Sequence, residues 1–273
     1  MERYDVIQGA ESFYYKGSDI GILVSHGFMG TPQSMEYIGK ELAKKGFTVY
    51  GLRLTGHGTH YYDIEQTTYE EWKQDFLNGY QRLKQECRHV FILGQSMGGT
   101  LTFHTASQGL DLDGVIAINP AMTSIPSMEP YRSRHTPRYL KEDHPDIKDP
   151  NVHEITYDKV PVRSMRELLS LMDETKERLS YVTCPALVLT STVDNVVPPE
   201  NSAYILNHIQ SAEKRQHMLR NSYHVASMDF DKDTIVAQTA QFVQATVAKK
   251  KVHERIFYFL NSLRFFFTSS KIK

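Results

Sequence analysis

Between residues 20 and 120 the chain alternates short β-branched apolar runs with longer amphipathic stretches, and few architectures accept that order. Neighbouring parallel strands need a long crossover, and a helix used as the crossover covers one face of the sheet each time it returns. Residues 20–24 read as the first fully buried strand, residues 35–45 as a helix stopped by Gly46, and residues 47–52 as the next strand. Residues 68–86 read as a helix with Trp72, Phe76, Tyr80 and Leu83 on its inner face. Strands follow over 89–93 and 114–118, then over 186–190 and 215–219, and a helix over 234–247 closes the unit. The expected fold class is α/β, a mostly parallel sheet flanked by helices.

The alternation breaks between residues 122 and 181, where proline, methionine and tyrosine accumulate around a helix predicted from 162 to 179. With 273 residues and 40% hydrophobic content, one large domain carrying an insertion is expected: core over 1–121 and 182–248, insertion over 122–181, tail over 249–273. A formal net charge of -1 gives no reason to expect nucleic acid as a partner. The tail differs from the rest, with seven Lys/Arg against one Glu. Cys87 and Cys184 lack metal-ligand spacing and read as small apolar residues. With neither a signal-like start nor a run long enough to span a bilayer, a cytoplasmic, reducing setting is expected, with the chain a monomer or homodimer.

Gly94-Gln95-Ser96-Met97-Gly98 stands directly behind the strand over 89–93. A serine on a sharp strand-to-helix turn has its hydroxyl clear of both elements, and flanking glycines let the backbone close that tightly. A serine hydroxyl needs a base, and the base needs an orienting group. In such sheets useful residues lie just beyond the strands' carboxyl ends. His224, in Asn221-Ser222-Tyr223-His224, and Asp194, in Thr192-Val193-Asp194-Asn195, satisfy this in the chain order Ser96, Asp194, His224. His26 and His57 also follow strands and read as loop braces, while Asp194 also reads as a turn or helix cap. Asp229 and Asp231 follow the histidine in the chain and are poor orienters. The oxyanion formed by attack on a carbonyl would be met by the backbone N–H groups of Met97 and Phe28, the latter in His26-Gly27-Phe28-Met29-Gly30.

These segments, with Arg53-Leu54-Thr55-Gly56-His57-Gly58-Thr59 and Asp194-Asn195-Val196-Val197-Pro198-Pro199, resemble the small bacterial carboxylesterases and monoacylglycerol lipases of the α/β-hydrolase superfamily. The resemblance covers roughly residues 5–248. It implies an eight-stranded type of sheet, a short cap, the Ser96–His224–Asp194 triad, no metal or other cofactor, and small ester or monoglyceride substrates with short to medium acyl chains. It also implies an acidic cap residue near the alcohol portion of a monoglyceride, here assigned to Glu154. Phe28, Met29 and Met97, with Met122, Ile125, Met128, Ile147, Ile155 and Leu168 of the insertion, are candidates for an adaptable acyl pocket. A thioesterase or acyltransferase would use the same triad, and a non-catalytic binding protein would share the fold. An aspartate at the elbow, as in haloalkane dehalogenases and epoxide hydrolases, is absent.

The tail departs from the resemblance. Lys249-Lys250-Lys251 leads into Ile256, Phe259, Leu260, Leu263, Phe266 and Phe267, which share one face of a helix. Three readings stay open: peripheral contact with an anionic membrane surface, packing on the body or a second subunit, and a disordered extension.

Overall fold

The computed structural model describes residues 2–142 and 144–269, with side chains described as far as residue 252. The chain order is β1 (Phe13–Tyr15), β2 (Ile20–Ser25), α1 (Gln33–Lys44), β3 (Thr48–Leu52), α2 (Tyr61–Gln66), α3 (Tyr69–Glu86), β4 (His89–Gln95), α4 (Met97–Ala106) and β5 (Gly114–Ile118). It continues through β6 (Tyr139–Lys141), β7 (Lys159–Pro161), α5 (Val162–Arg178), β8 (Ala186–Ser191), α6 (Glu200–His208), β9 (Lys214–Leu219) and α7 (Lys232–Ser269). Seven strands form one sheet in the order β1-β3-β2-β4-β5-β8-β9. Every neighbouring pair is parallel except β1 with β3.

The sheet therefore has seven strands among the described residues, against the eight that the resemblance implies. Residues 3–10 commit their donors to loops instead: Arg3 and Tyr4 N–H to the Asp63 carboxylate at 2.9 and 3.2 Å, and Ile7 N–H to Gly58 O at 2.8 Å.

Strand alternation splits the core in two. Leu23, Ile92 and Val115 face Trp72, Phe76 and Leu101. Ile22, Val24, Phe91 and Leu93 face Met35 and Ile38 of α1 and Phe242 and Val243 of α7. Both faces of β4 are thus buried, as its unbroken apolar run requires. At the start of α3 the Glu71 carboxylate accepts the Thr68 N–H at 2.9 Å, half of a reciprocal capping box that fixes this end.

Between β5 and β8 lie an antiparallel ribbon, β6 with β7, and α5, which packs along α3 and α4. The helix expected over 234–247 starts at Lys232 and its backbone continues to Ser269. The apolar face expected from Ile256 to Phe267 lies outside the residues whose side chains are described. Among the described residues no helix is long and apolar enough to cross a membrane.

Candidate active site

Ser96 sits between β4 and α4 with φ 55 and ψ -117, a left-handed conformation that a side-chain-bearing residue adopts only when its surroundings enforce it. Two neighbours do so. A Cβ on Gly94 would stand 2.0 Å from Gly98 O, and one on Gly98 would stand 2.6 Å from His26 O. Glycine is thus required at both places for the turn and for the approach of the β2 loop. Ser96 N–H donates to Ile118 O at 2.9 Å, which pins the turn to the end of β5.

Ser96 Oγ lies 2.9 Å from His224 Nε2, and His224 Nδ1 lies 2.8 Å from Asp194 Oδ2. A proton on Nδ1 donated to the carboxylate leaves Nε2 free to accept the serine proton. The other Asp194 oxygen accepts the N–H groups of Val196 at 2.9 Å and Val197 at 2.7 Å. Asp194 therefore caps its own turn and faces His224 at once. These three side chains come from beyond β4, β8 and β9, whose carboxyl ends lie on the same rim of the sheet.

The β2 loop lies against this group. A Cβ on Gly27 would approach Ser96 Cβ to 3.0 Å, so the loop that carries Phe28 packs directly on the elbow. The Met97 N–H is the first of α4, where helical amides have no partner within the helix. Met29 also holds a positive φ of 64 and is buried. His26 braces the loop, with Nδ1 2.9 Å from Gly27 O and Nε2 accepting the Leu54 N–H at 3.3 Å. Burial lowers its pKa to about 4 despite the Gly27 carbonyl, keeping the ring neutral for both bonds. His57 is fully buried beside it and is held well below the usual histidine range, chiefly by burial and then by His26.

A cavity of about 400 Å³ opens onto Ser96 and His224. Phe28, Met29, Ile125, Met128 and Leu168 line it, as does Glu154. Four other sequence candidates do not. Met97 and Met122 are wholly buried in the core, Ile147 lines a neighbouring cavity, and Ile155 packs toward Gly9. Met122, Ile147 and Ile155 sit on irregular segments where periodicity does not fix the direction of a side chain, and Met97 opens α4, a helix buried on every side. Leu140, Val160, Met165, Val196 and Val225 complete the apolar wall instead. Glu154 reaches beneath Gly30, where a Cβ would come within 2.5 Å of its Oε1. Burial pushes its carboxyl up to about 7, against opposing influences from His224 and a Ser34 hydrogen bond.

Two supporting residues escaped sequence reasoning. Asn119, directly after β5, donates to His224 O at 2.9 Å and Ser191 Oγ at 2.9 Å and accepts the Ser191 N–H at 2.7 Å. A polar residue at a strand's carboxyl end was the available signal. Asp146, in the insertion, touches the loops that carry Asp194 and His224, and nothing in its local sequence announces it. Among the described residues no three His, Cys, Asp or Glu side chains gather as metal ligands.

Comparison with known proteins places this geometry. Residues 18–231 match the family described as serine aminopeptidase S33. The thermostable monoacylglycerol lipase of Bacillus sp. (strain H-257) is 44% identical over 243 residues, covering 88% of this chain and 97% of that protein. A carboxylesterase of Bacillus subtilis (strain 168) is 21% identical over 235 residues, covering 85% of this chain and 95% of that one. The solved structure of a metagenome-derived lipolytic enzyme superposes with a TM-score of 0.84 at 39% identity, covering 88% of this chain and all of its own. A strained elbow serine, a β-sheet of this order and matches over most of the chain's length agree: this chain belongs to the serine aminopeptidase S33 family of the α/β-hydrolase superfamily.

Proposed function

We propose that this protein is a carboxylic ester hydrolase working through an acyl-enzyme on Ser96, with monoacylglycerols and short- to medium-chain esters as substrates. The observation that carries the reading is the continuous hydrogen-bonded path from Ser96 Oγ through His224 to Asp194, opening into an apolar cavity. His224 takes the serine proton as Oγ attacks the ester carbonyl, and Asp194 stabilises the imidazolium that forms. The oxyanion is met by the Met97 and Phe28 N–H groups. His224 then gives its proton to the departing alcohol, and water repeats the sequence in reverse to release the acid.

Residues 122–181 act as the cap: its ribbon and loops wall the cavity while α5 anchors it on α4. The acyl chain lies against Met29, Leu140 and Leu168, and Glu154 meets the glycerol hydroxyls. The family description names a peptidase, but the apolar wall and the 44% identical lipase support an ester. The basic, aromatic sequence of residues 249–273 supports contact with an anionic lipid surface where such substrates reside.

Fluorophosphonate labelling combined with Ser96→Ala tests the reading. The parent should label at Ser96 and turn over p-nitrophenyl butyrate and monoacylglycerols, and the variant should lose turnover by several orders of magnitude with its fold intact. Retained turnover in Ser96→Ala would overturn it.

A further inference from the structure

The His224 loop and the Asp194 loop follow different strands, and the two side chains must be held in register within a few tenths of an ångström. A single carboxylate from the insertion spans both. Asp146 Oδ2 accepts the His224 N–H at 3.1 Å and the Asn195 N–H at 3.0 Å, while Oδ1 accepts the Asn195 side-chain N–H at 2.7 Å. Its backbone carbonyl accepts the Val225 N–H at 3.1 Å. Two bonds thus fall on the catalytic base's own residue and its neighbour, and two on the residue following the orienting aspartate.

We propose that Asp146 is a positioning residue, through which the cap sets the alignment of His224 with Asp194 and Ser96. This rests on the ester-hydrolase reading above. Anchoring the cap does not itself require Asp146. Asp229, almost fully buried behind the His224 loop, already accepts the Lys148 N–H at 2.8 Å and the Asp149 N–H at 3.2 Å. The same carboxylate accepts the Tyr223 N–H at 2.9 Å. With the segment tied down by Asp229, the Asp146 carboxylate governs how the two loops face each other. Its side chain also borders the cavity, so a substrate that presses on this wall of the cap acts on the same clamp.

The replacements separate alignment from stability. Asp146→Ala removes the acceptor, and kcat for p-nitrophenyl acetate should fall at least tenfold with KM within twofold. The rate of fluorophosphonate labelling should fall by the same factor, because Ser96 loses its aligned base. Asp146→Asn should recover to within threefold of the parent: its amide oxygen still accepts both backbone N–H groups, and the Asn195 amide can turn to accept from its nitrogen. Asp146→Glu keeps the charge but sets the carboxylate one methylene further out, so it should fall below Asp146→Asn. Unchanged kcat and labelling rate in Asp146→Ala, whatever its melting temperature, would overturn the inference. If Asp146→Ala does not fold, the order of the other two decides, and a more active Asp146→Glu overturns the clamp. Ser96→Ala keeps the readings apart: if it is inactive while Asp146→Ala matches the parent, only the clamp fails.

Discussion

Glu154 carries a cost that its position explains. Enclosure in the cavity favours the neutral acid, so its carboxyl titrates near 7 when folded against an ordinary value of 4.5. Between those values the folded protein holds a proton that the unfolded chain has released, so stability falls as pH rises through this window and stays lowered above it. Glu154→Gln should therefore stabilise the protein at pH 8 and leave it unchanged at pH 4. One pKa unit corresponds to about 1.4 kcal/mol. The cavity is open to solvent, which reduces the gain to about 2 kcal/mol, or roughly 5 °C in melting temperature. Thermal scans at the two pH values check this, and equal shifts at both would show that the carboxyl is not held neutral by burial. If the residue meets glycerol hydroxyls, the same variant should raise KM for monoacylglycerols severalfold while sparing p-nitrophenyl esters. His26 makes the opposite use of burial: neutrality costs an imidazole little and gives the β2 loop one donor and one acceptor.

At the scale of elements, the elbow and the β2 loop form one rigid unit because backbone meets backbone there. A methyl on Gly98 would stand 2.6 Å from His26 O and 2.8 Å from Ser25 O, and neither carbonyl is a flexible tip that can swing aside. Gly98→Ala should destabilise by about 3 kcal/mol or more and, in whatever folds, push the Phe28 N–H away from Ser96. Chemical denaturation and kcat on p-nitrophenyl acetate measure the two effects, and parent-like values for both would mean that the loops are independently mobile. The same rigidity explains which elements were legible in the sequence. β2, β4, β5 and β8 are buried on both faces, so their apolar runs stood out, and Ser96 and Asp194 followed from the ends of β4 and β8, whereas His224 lies beyond β9, an edge strand with only one buried residue. β1 and the ribbon of β6 and β7 are three residues each, too short for an alternation to register. α2 is one short helix held by the His60 ring accepting the Tyr62 N–H at 3.1 Å, a local contact with no periodic signature. Asp146 was illegible for a related reason: its partners lie 49 and 78 residues away and meet it only in the folded chain.

Across the whole molecule charge is unevenly placed. Residues 249–273 carry a net +6, which leaves -7 on residues 1–248. The structure uses part of the basic end internally: Lys249 pairs with Glu213 at 2.6 Å, and Lys250 reaches the buried Asp113 carboxylate at 3.0 Å. The exposed Lys249–Glu213 pair contributes on the order of 0–1 kcal/mol, too little by itself to hold a long helix in place. Lys251, Arg255, Arg264, Lys271 and Lys273 remain in the sequence beyond these two, interspersed with phenylalanines. A basic aromatic segment on an acidic body is drawn to anionic lipid while the body itself is repelled, so the tail should govern adsorption. In co-sedimentation, the full chain should pellet with phosphatidylserine-containing vesicles, stay in solution with pure phosphatidylcholine, and be released as salt rises. A chain ending at residue 248 should stay in solution throughout. Turnover of a vesicle-borne monoacylglycerol should fall in the shortened chain while p-nitrophenyl acetate hydrolysis, which needs only the cavity and the triad, stays within twofold. Equal partitioning of the two chains would end the membrane reading. A lowered melting temperature in the shortened chain, with no difference in vesicle binding, would assign residues 249–273 to packing on the protein instead.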